Sequence, residues 1–243
     1  MNTVAIIQAR MGSSRLPGKV LMDLAGETVL GRVVNRLGRS REIDRIVVAT
    51  TDMTEDDPII DACERLRVAC FRGAERDVLD RFYKAAHENA ADAVVRVTSD
   101  CPLIDPEIVD DTVIIFRDQG SDYASNVFPR TFPRGLDAEV FSMGALDRAW
   151  SEACEPHQRE HVTLYFYENP EKFRQASLTG TADYSRYRWT LDTREDLELL
   201  GTIYSRFDGR DDFSWQEVIQ LMEREPELAE LNSGVLQKPV REH

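Results

Sequence analysis

The residues best suited to chemistry lie in one short basic segment, residues 8–19, which reads QARMGSSRLPGK. It directly follows an apolar run at residues 4–7. Glycine lets backbone N–H groups approach an anion, serine adds hydroxyl donors, and arginine and lysine supply positive charge for phosphate oxygens. A solvated surface turn accounts for any one of these residues but not for the whole set. The segment therefore predicts a polyphosphate-binding loop in which Arg10, Arg15 and Lys19 supply the charge.

Two aspartates stand where predicted buried strands end. Asp100 follows the apolar residues 93–97, and Asp192 follows residues 188–191. Ligands of open α/β sheets collect at such carboxyl ends, and Mg²⁺ is held by one or two carboxylates together with substrate phosphates. Either aspartate alone also fits an ordinary helix cap or turn. Together with the basic loop, the pair predicts a magnesium site.

These groups need a scaffold that places strand ends side by side. Apolar runs typical of buried strands recur along the chain, and longer amphipathic segments separate them. The predicted strands cover residues 4–7, 46–49, 68–71 and 93–97, and the predicted helices include residues 28–37 and 78–86. Alternation of this kind indicates an α/β fold with a mostly parallel sheet flanked by helices.

The middle of the chain has a different composition. Residues 125–135 carry two prolines and no helical period, which predicts a loop or short irregular strands. Beyond them we expect a strand at residues 139–141, a helix at residues 143–153 and a second helical stretch at residues 161–167. No repeat or clear linker interrupts the chain, so residues 1–243 are predicted to form a single domain with a small irregular insertion at residues 125–141.

The overall charge excludes some classes of partner. A formal net charge of −14 argues against binding to nucleic acid or to a lipid surface, because both need clustered positive charge. No apolar run approaches the roughly twenty residues that span a bilayer, and the first residues lack the basic start of a signal peptide. We therefore expect a cytoplasmic protein whose four scattered cysteines are reduced thiols.

Taken together, the motifs resemble those of the CMP-sugar synthetases, the cytidylyltransferases that act on Kdo and acylneuraminates. The resemblance rests on the basic loop, on Asp-x-Pro at residues 100–102 and on Leu-Asp-Thr at residues 191–193. Further segments are similar to the branch typified by the spore coat polysaccharide biosynthesis protein F. They are residues 72–73, 77–81, 135–141 and 160–163, so the resemblance covers nearly the whole chain. Ser99 departs from the pattern, which has glycine before the aspartate.

The resemblance implies a Rossmann-like fold of the nucleotide-diphospho-sugar transferase, or GT-A-like, type. It implies that a hydroxyl of a sugar acid attacks the α-phosphorus of CTP, forming a CMP-sugar and releasing pyrophosphate. It also implies Mg²⁺ held by Asp100 and Asp192, and a homodimer with residues 125–141 as a candidate contact. The implied catalytic residues are Arg15, Lys19, Asp100 and Asp192. The implied nucleotide-binding residues are Ala9, Arg10, Met11, Gly12, Ser13, Ser14, Arg15, Lys19 and Arg72, with the backbone near Ala9 facing cytosine.

The pocket for the sugar acid, the acceptor, is assigned to polar residues of the branch-specific segments. The candidate acceptor-binding residues are Asn126, Arg134, Asp137, Glu139 and His161. A sugar acid needs partners for its hydroxyls and a cation for its carboxylate, and Arg134 is the predicted cation. Asp137 and Glu139 fit the wet face of a half-buried strand equally well, and His161 equally fits a structural histidine.

Three other interpretations stay open. Residues 157–161 match H-x-x-E-H, in which two histidines one helical turn apart would bind zinc and the glutamate would activate water. A sugar-1-phosphate nucleotidyltransferase also uses a glycine-rich basic loop and carboxylate-bound magnesium. A non-catalytic nucleotide-binding module would bind CTP without releasing pyrophosphate. Zinc content, the preferred nucleotide and pyrophosphate release, respectively, distinguish these interpretations.

Overall fold

The computed structural model describes residues 1–237, and its central feature is a seven-stranded sheet. The strands are β1 (Thr3–Gln8), β2 (Asp23–Leu24), β3 (Glu27–Thr28), β4 (Arg45–Thr51), β5 (Ala69–Gly73), β6 (Ala93–Thr98), β7 (Tyr123–Ser125), β8 (Glu139–Ser142) and β9 (Gln175–Ser177). The α-helices are α1 (Val29–Leu37), α2 (Asp57–Leu66), α3 (Val78–Glu88), α4 (Pro106–Asp118), α5 (Met143–Glu152), α6 (Pro156–Glu160), α7 (Leu164–Glu168), α8 (Arg194–Arg206) and α9 (Trp215–Arg224). Short 3₁₀ turns cover Lys19–Leu21, Thr54–Asp56, Pro170–Lys172 and Pro226–Glu230. None of the helices in this part of the chain is both long enough and apolar enough to cross a membrane.

The strand order places the basic loop at the centre of the sheet. The sheet runs β5-β4-β1-β6-β8-β7-β9, and β2 and β3 form a separate two-stranded ribbon. β1 pairs in parallel with both β4 and β6. β8 is antiparallel to its neighbours β6 and β7, whereas β9 is parallel to β7. The predicted fold class, a mostly parallel sheet flanked by helices, is confirmed.

The four strands predicted from apolar runs correspond to β1, β4, β5 and β6. The central strand β1 is buried on both faces, as expected for a parallel strand covered by helices on two sides. Ala5 and Ile7 pack into one cluster of buried side chains, and Val4 and Ile6 pack into a second cluster on the opposite face. The helices predicted at residues 28–37 and 78–86 are also present, as α1 and α3.

The helix predicted at residues 161–167 is wrong in its first half. α6 ends at Glu160, and α7 begins only at Leu164. Val162, between them, has a positive φ of 53°, which an L-residue in a right-handed helix does not adopt. The chain therefore bends at residues 161–163, and this bend separates His161 from α7.

The strand predicted at residues 188–191 is also wrong. Arg188 makes only an isolated bridge with Arg134. The backbone hydrogen bonds of the segment go to loops instead, since the Trp189 N–H donates to the Arg134 carbonyl (2.7 Å) and the Leu191 N–H donates to the Asp100 carbonyl (2.8 Å). The segment is extended and buried, but loops rather than a sheet hold it beside the end of β6.

A third apolar cluster anchors this extended segment and the basic loop together. Trp189 and Leu191 are fully buried in it, beside Leu16 of the loop and Leu103 of the turn after β6. Side chains of α8 and α9 complete the cluster. The cluster explains why three segments that are distant in sequence meet at the carboxyl ends of β1 and β6.

Gly135 is a position where this arrangement leaves no room for a side chain. Its φ is +104°, and a Cβ there would lie 2.6 Å from the carbonyl carbon and oxygen of Trp189. We expect Gly135→Ala to lower the free energy of unfolding by about 2 kcal/mol or more, because both the backbone conformation and the close contact become strained. Urea unfolding monitored by circular dichroism measures this.

Gly201→Ala is the matched control for that substitution. Gly201 lies in α8, where a Cβ would meet nothing within 4 Å. Replacing glycine by alanine at a helical position of this kind raises the free energy of unfolding by up to about 1 kcal/mol. Equal stability of the Gly135 variant and the wild type would contradict the assigned strain.

Candidate active site

The basic loop after β1 is closed by backbone hydrogen bonds. The Ala9 N–H donates to the backbone of β4 (3.1 Å), and the Met11 N–H donates to the buried Asp56 carboxylate (2.6 Å). At the far end, the Gly18 N–H donates to the Met11 carbonyl (2.9 Å), and Gly18 has a left-handed φ of 71°. This closure returns the chain to the sheet, so that Lys19 lies at the carboxyl ends of β1 and β6.

Beside the loop lies a polar cavity of about 240 Å³, which we call the loop cavity. It is lined by Gln8, Arg10, Gly12, Ser13, Ser14, Arg15, Lys19, Val20, Thr98, Ser99, Asp100 and Asp192. Most of the predicted nucleotide-binding residues are thus brought together, whereas Ala9 and Met11 lie behind the lining and shape the loop through their backbones. Hydroxyls and three cations around one small polar cavity suit the oxygens of a polyphosphate.

Arg72, also predicted to bind nucleotide, lies outside the loop cavity. Its guanidinium donates to the backbone carbonyls of Thr51 (2.9 Å) and Met53 (2.8 Å) and pairs with Asp57 (2.8 Å). These contacts shape the turn that follows β4. A direct contact between Arg72 and a nucleotide stays a prediction.

Lys19 binds both predicted metal ligands. Its ammonium lies 2.7 Å from Asp100 Oδ2 and 2.9 Å from Asp192 Oδ1, and it also donates to the Leu191 carbonyl (2.7 Å). Burial by itself lowers the pKa of Lys19, but the two carboxylates outweigh burial and hold the pKa above its ordinary value. Lys19 therefore stays protonated, and carries a positive charge at the centre of the site, throughout the physiological pH range.

Asp192 is held in place by a second set of charges. Its Oδ2 accepts from Arg188 (2.7 Å) and lies 2.8 Å from Arg15. Burial alone would raise the pKa of Asp192, but Lys19, Arg188 and Arg15 together lower it to about 2. Asp192 is therefore ionised throughout the physiological range.

Arg188 and Asp196, which hold Asp192, were missed by sequence reasoning as site residues. Arg188 also pairs with the fully buried Asp196 (3.0 Å), which accepts the Asp192 N–H (2.9 Å). The available signal was the spacing of opposite charges at positions 188, 192 and 196.

The carboxylate oxygens of Asp100 and Asp192 suit a small divalent cation. A single atom, Lys19 Nζ, lies within hydrogen-bonding distance of Asp100 and Asp192 at once, so a cation placed nearby can contact both carboxylates. Among residues 1–237, no group of three or more His, Cys, Asp or Glu side chains could hold a metal. Two carboxylates, completed by phosphate and water, match the preference of Mg²⁺ rather than that of zinc.

A second cavity, of about 690 Å³, lies on the other side of β6, and we call it the arginine cavity. It is lined by Arg96, Thr98, Val127, Phe128, Arg130, Arg134, Asp137, Glu139, His161, Thr163, Leu164, Tyr167 and Gln237. Four of the five predicted acceptor residues are in this lining. The fifth, Asn126, is buried behind it, where its amide donates to the Leu136 carbonyl (2.7 Å) and accepts the Ala138 N–H (2.9 Å).

Glu139 is the most deeply buried acid of the arginine cavity. It pairs with Arg96 and accepts hydrogen bonds from the hydroxyls of Tyr123 (2.7 Å) and Tyr167. Burial would raise the pKa of Glu139, but Arg96 and the two tyrosines lower it below its ordinary value. Glu139 and Arg96 therefore form a charged pair in the cavity wall.

The other two arginines differ in their pairing. Arg130 forms a bidentate pair with Asp137, with N–O distances of 2.6 Å and 2.8 Å. Arg134 makes no ion pair with any of the described residues. Burial lowers the pKa of Arg134, and the positive charge of Arg130 lowers it further. In the lining formed by residues 1–237, three guanidinium groups against two carboxylates leave one net positive charge, and Arg134 carries it.

Thr98 lies where the two cavities meet, since it lines both of them. Its hydroxyl donates to Asp100 Oδ1 (2.6 Å). Sequence reasoning missed Thr98, Arg96 and Arg130. Arg96 and Thr98 could have been noticed as polar residues in or at the end of the apolar run of β6, but Arg130 lies in an irregular segment without a period.

The histidine motif at residues 157–161 does not converge on one point. His157 Nε2 lies 3.1 Å from the Glu168 carboxylate. His161, in the bend after α6, lines the arginine cavity. The zinc interpretation has no support from this placement.

The arrangement belongs to the nucleotidyltransferase class, in which a phosphate-binding loop and carboxylates meet at the carboxyl ends of a mostly parallel sheet. Comparison with known proteins narrows the class. The model of the cytidylyltransferase family matches residues 4–214, and the chain therefore belongs to the cytidylyltransferase family. The family resemblance expected from the sequence is thereby confirmed.

Individual relatives agree with this assignment. The chain is 38% identical to the spore coat polysaccharide biosynthesis protein SpsF of Bacillus subtilis, over 92% of this chain and 95% of that protein. It is 29% identical to a 3-deoxy-manno-octulosonate cytidylyltransferase of Chlamydia trachomatis, over 81% of this chain and 80% of that protein. The solved structure of a cytidylyltransferase from Leptospira borgpetersenii is 37% identical and superposes with a TM-score of 0.92, covering 98% of this chain and all of the other.

His161 provides a test of burial in the arginine cavity. Burial lowers its pKa below the ordinary value, although Glu160 opposes the shift. As the pH falls below about 6.5, the unfolded chain therefore takes up the proton before the folded protein does, and the wild type loses stability. We expect His161→Gln to lose less stability than the wild type between about pH 7.5 and about pH 5.5. Urea unfolding at the two pH values measures the difference.

His87→Gln, on the exposed face of α3, controls for the general effect of removing an imidazole. The assigned environment of His161 is contradicted if its variant and the wild type lose the same stability over this pH range.

Proposed function

We propose that this cytidylyltransferase transfers CMP from CTP to a hydroxyl of a sugar acid, or of a similar small acid, and releases pyrophosphate. The product would serve the biosynthesis of a surface polysaccharide. The observation that carries the proposal is the junction of two cavities at Thr98. One cavity has the charge and size for a triphosphate. The other offers Arg134, which has no ion pair within the described part of the chain, to an acid.

The chemistry asks mainly for alignment and for neutralisation of charge. The acceptor oxygen forms a bond to the α-phosphorus, and the bond from that phosphorus to the bridging oxygen of the β-phosphate breaks, so that pyrophosphate leaves with the bonding electrons. The proton of the acceptor hydroxyl passes to water. Arg10, Arg15 and Lys19 line the loop cavity, where they can stabilise the charge that develops on the departing pyrophosphate. No protein nucleophile is needed. Mg²⁺, held by Asp100 and Asp192, would supply further neutralisation of the phosphate charge.

The charge of the arginine cavity favours an acceptor with a single negative charge. Arg96 and Arg130 are already paired with Glu139 and Asp137, which leaves Arg134 for one carboxylate. A sugar 1-phosphate carries up to two negative charges and would leave one of them buried without a partner, which is costly. This argument supports a sugar acid over a sugar 1-phosphate.

The names of the relatives point in the same direction. The Chlamydia relative is a cytidylyltransferase for 3-deoxy-manno-octulosonate, which is a sugar acid. The name of the Bacillus relative refers to polysaccharide biosynthesis. We extend both properties to this chain as part of the proposal.

Pyrophosphate release tests the proposal directly. The protein is incubated with Mg²⁺, with each of CTP, UTP, GTP and dTTP in turn, and with panels of sugar acids and sugar 1-phosphates. We expect release with CTP and a sugar acid. Release only with a sugar 1-phosphate would favour the rival nucleotidyltransferase interpretation. CTP that raises the melting temperature without release from any acceptor would favour a binding module.

Asp192→Asn tests the carboxylate pair. The substitution keeps the size of the side chain but removes the charge that Lys19, Arg15 and Arg188 contact. We expect kcat/KM to fall by roughly 100-fold or more with circular dichroism unchanged. Asp147→Asn, at an exposed position of α5, is the control and should retain activity. Unchanged magnesium-dependent turnover would remove Asp192 from the site.

Arg134→Gln tests the assignment of the acceptor carboxylate. We expect KM for the acid to rise roughly tenfold or more, with KM for CTP little changed, because a charge-assisted hydrogen bond is lost on one substrate only. Arg186→Gln removes an exposed arginine that does not line either cavity and serves as the control. A rise confined to KM for CTP would contradict the assignment.

The homodimer stays a prediction. Within the segment at residues 125–141, Phe128 leaves 60% of its surface exposed at the edge of the arginine cavity. Sedimentation as a monomer at micromolar concentration would contradict the dimer.

A further inference from the structure

The ammonium of Lys19 has no donor left for another ligand. Its three N–H groups correspond to three acceptors, namely Asp100 Oδ2, Asp192 Oδ1 and the Leu191 carbonyl, at 2.7 Å, 2.9 Å and 2.7 Å. Only 9% of the residue is exposed. The amine is therefore an internal cation that bridges the two carboxylates.

This cation occupies the region where a metal bridging the same carboxylates would lie. A magnesium ion needs oxygen ligands at about 2.1 Å and strips off its water reluctantly. An ammonium and a divalent cation cannot both sit between Asp100 and Asp192, since they repel each other and compete for the same oxygens. Metal binding therefore requires Lys19 to move.

The charges around the pair give a free metal ion little attraction. Three cations, Lys19, Arg15 and Arg188, each form an ion pair with Asp192. They face three carboxylates, those of Asp100, Asp192 and Asp196. The cluster is thus neutral overall, whereas a metal site that binds Mg²⁺ by itself needs an excess of negative charge. The phosphates of a nucleotide would supply that excess.

We propose that Lys19 holds the metal position in the free protein and that the divalent cation enters only together with the nucleotide, so that the ligand taken by this site is the metal–CTP complex. This inference rests on the proposed function. Lys19 lines the loop cavity, so its ammonium can turn from the carboxylates to the phosphate oxygens when the nucleotide arrives. The lysine thereby prevents the carboxylates from taking up metal without substrate.

Binding of Mn²⁺, followed by electron paramagnetic resonance, tests the proposal without any turnover. Wild-type protein alone is expected to leave the signal of free Mn²⁺ nearly unchanged. With the α,β-methylene analogue of CTP present, we expect one Mn²⁺ to bind per chain. The Mn²⁺ bound by the analogue in a titration without protein is subtracted first. Asp192→Asn should abolish this binding.

Lys19→Met removes the charge and keeps the length of the side chain. We expect it to bind one Mn²⁺ per chain without nucleotide, roughly tenfold or more tightly than the wild type does, because the carboxylates are then unbridged. The double variant with Asp192→Asn should lose that site. Lys84→Met, which removes an exposed lysine paired with Asp80 (2.8 Å), is the control and should behave as the wild type. Lys19→Gln provides a second neutral variant if the first does not fold.

The outcomes separate this inference from the proposed function. Tight binding of Mn²⁺ to the wild type alone, lost on Asp192→Asn, would overturn the inference and leave the proposed function standing. The inference would also be overturned, and the proposed function left standing, if the wild type bound Mn²⁺ with the analogue but neither Lys19 variant bound Mn²⁺ without nucleotide. Absence of Mn²⁺ binding even with the analogue would overturn both the metal in the proposed function and the inference.

Discussion

The site depends on one buried ionic contact, the bridge from Lys19 to Asp100 and Asp192. The two carboxylates come from the turn after β6 and from an extended segment near the end of the fold, and like charges at this distance repel each other. The ammonium between them offsets that repulsion and joins the basic loop to both segments. Because the contact is largely buried, water screens it weakly and its geometry is well defined.

The surroundings of this bridge follow the rule that a buried charge needs a partner. Asp192 is shared by Arg15 and Arg188, and Arg188 in turn neutralises the fully buried Asp196. The arginine cavity follows the same rule, except at Arg134. Within residues 1–237, Arg134 has no ion pair, whereas the two other arginines of the lining are paired with acids. Under the proposed function, this one guanidinium suits a single anionic group, and the loop cavity suits the more highly charged triphosphate.

The local patterns of the sequence predicted much of this structure. The glycine, serine and cation content of residues 8–19 predicted a phosphate loop, since these properties belong to the residues themselves. The buried strands β1, β4 and β6 were predicted because strands covered on both faces read as apolar runs. By contrast, residues 188–191, predicted as a strand, do not join the sheet, because the Arg134 carbonyl and the turn after β6 accept their backbone hydrogen bonds.

By itself, the sequence determined the class of fold and singled out the basic loop and the two aspartates as candidate site residues, because periodicity and residue chemistry act over short stretches of chain. Only the tertiary structure decided the partners of these groups. It placed Lys19 between the two carboxylates. It also hydrogen-bonded Arg72 to the turn after β4 and buried Asn126 behind the wall of the arginine cavity. It also left Arg134 unpaired while giving Arg130 and Arg96 their acids. The contacts of Lys19 join residues far apart in the chain, and packing of the third apolar cluster brings their three segments together, which no local pattern encodes.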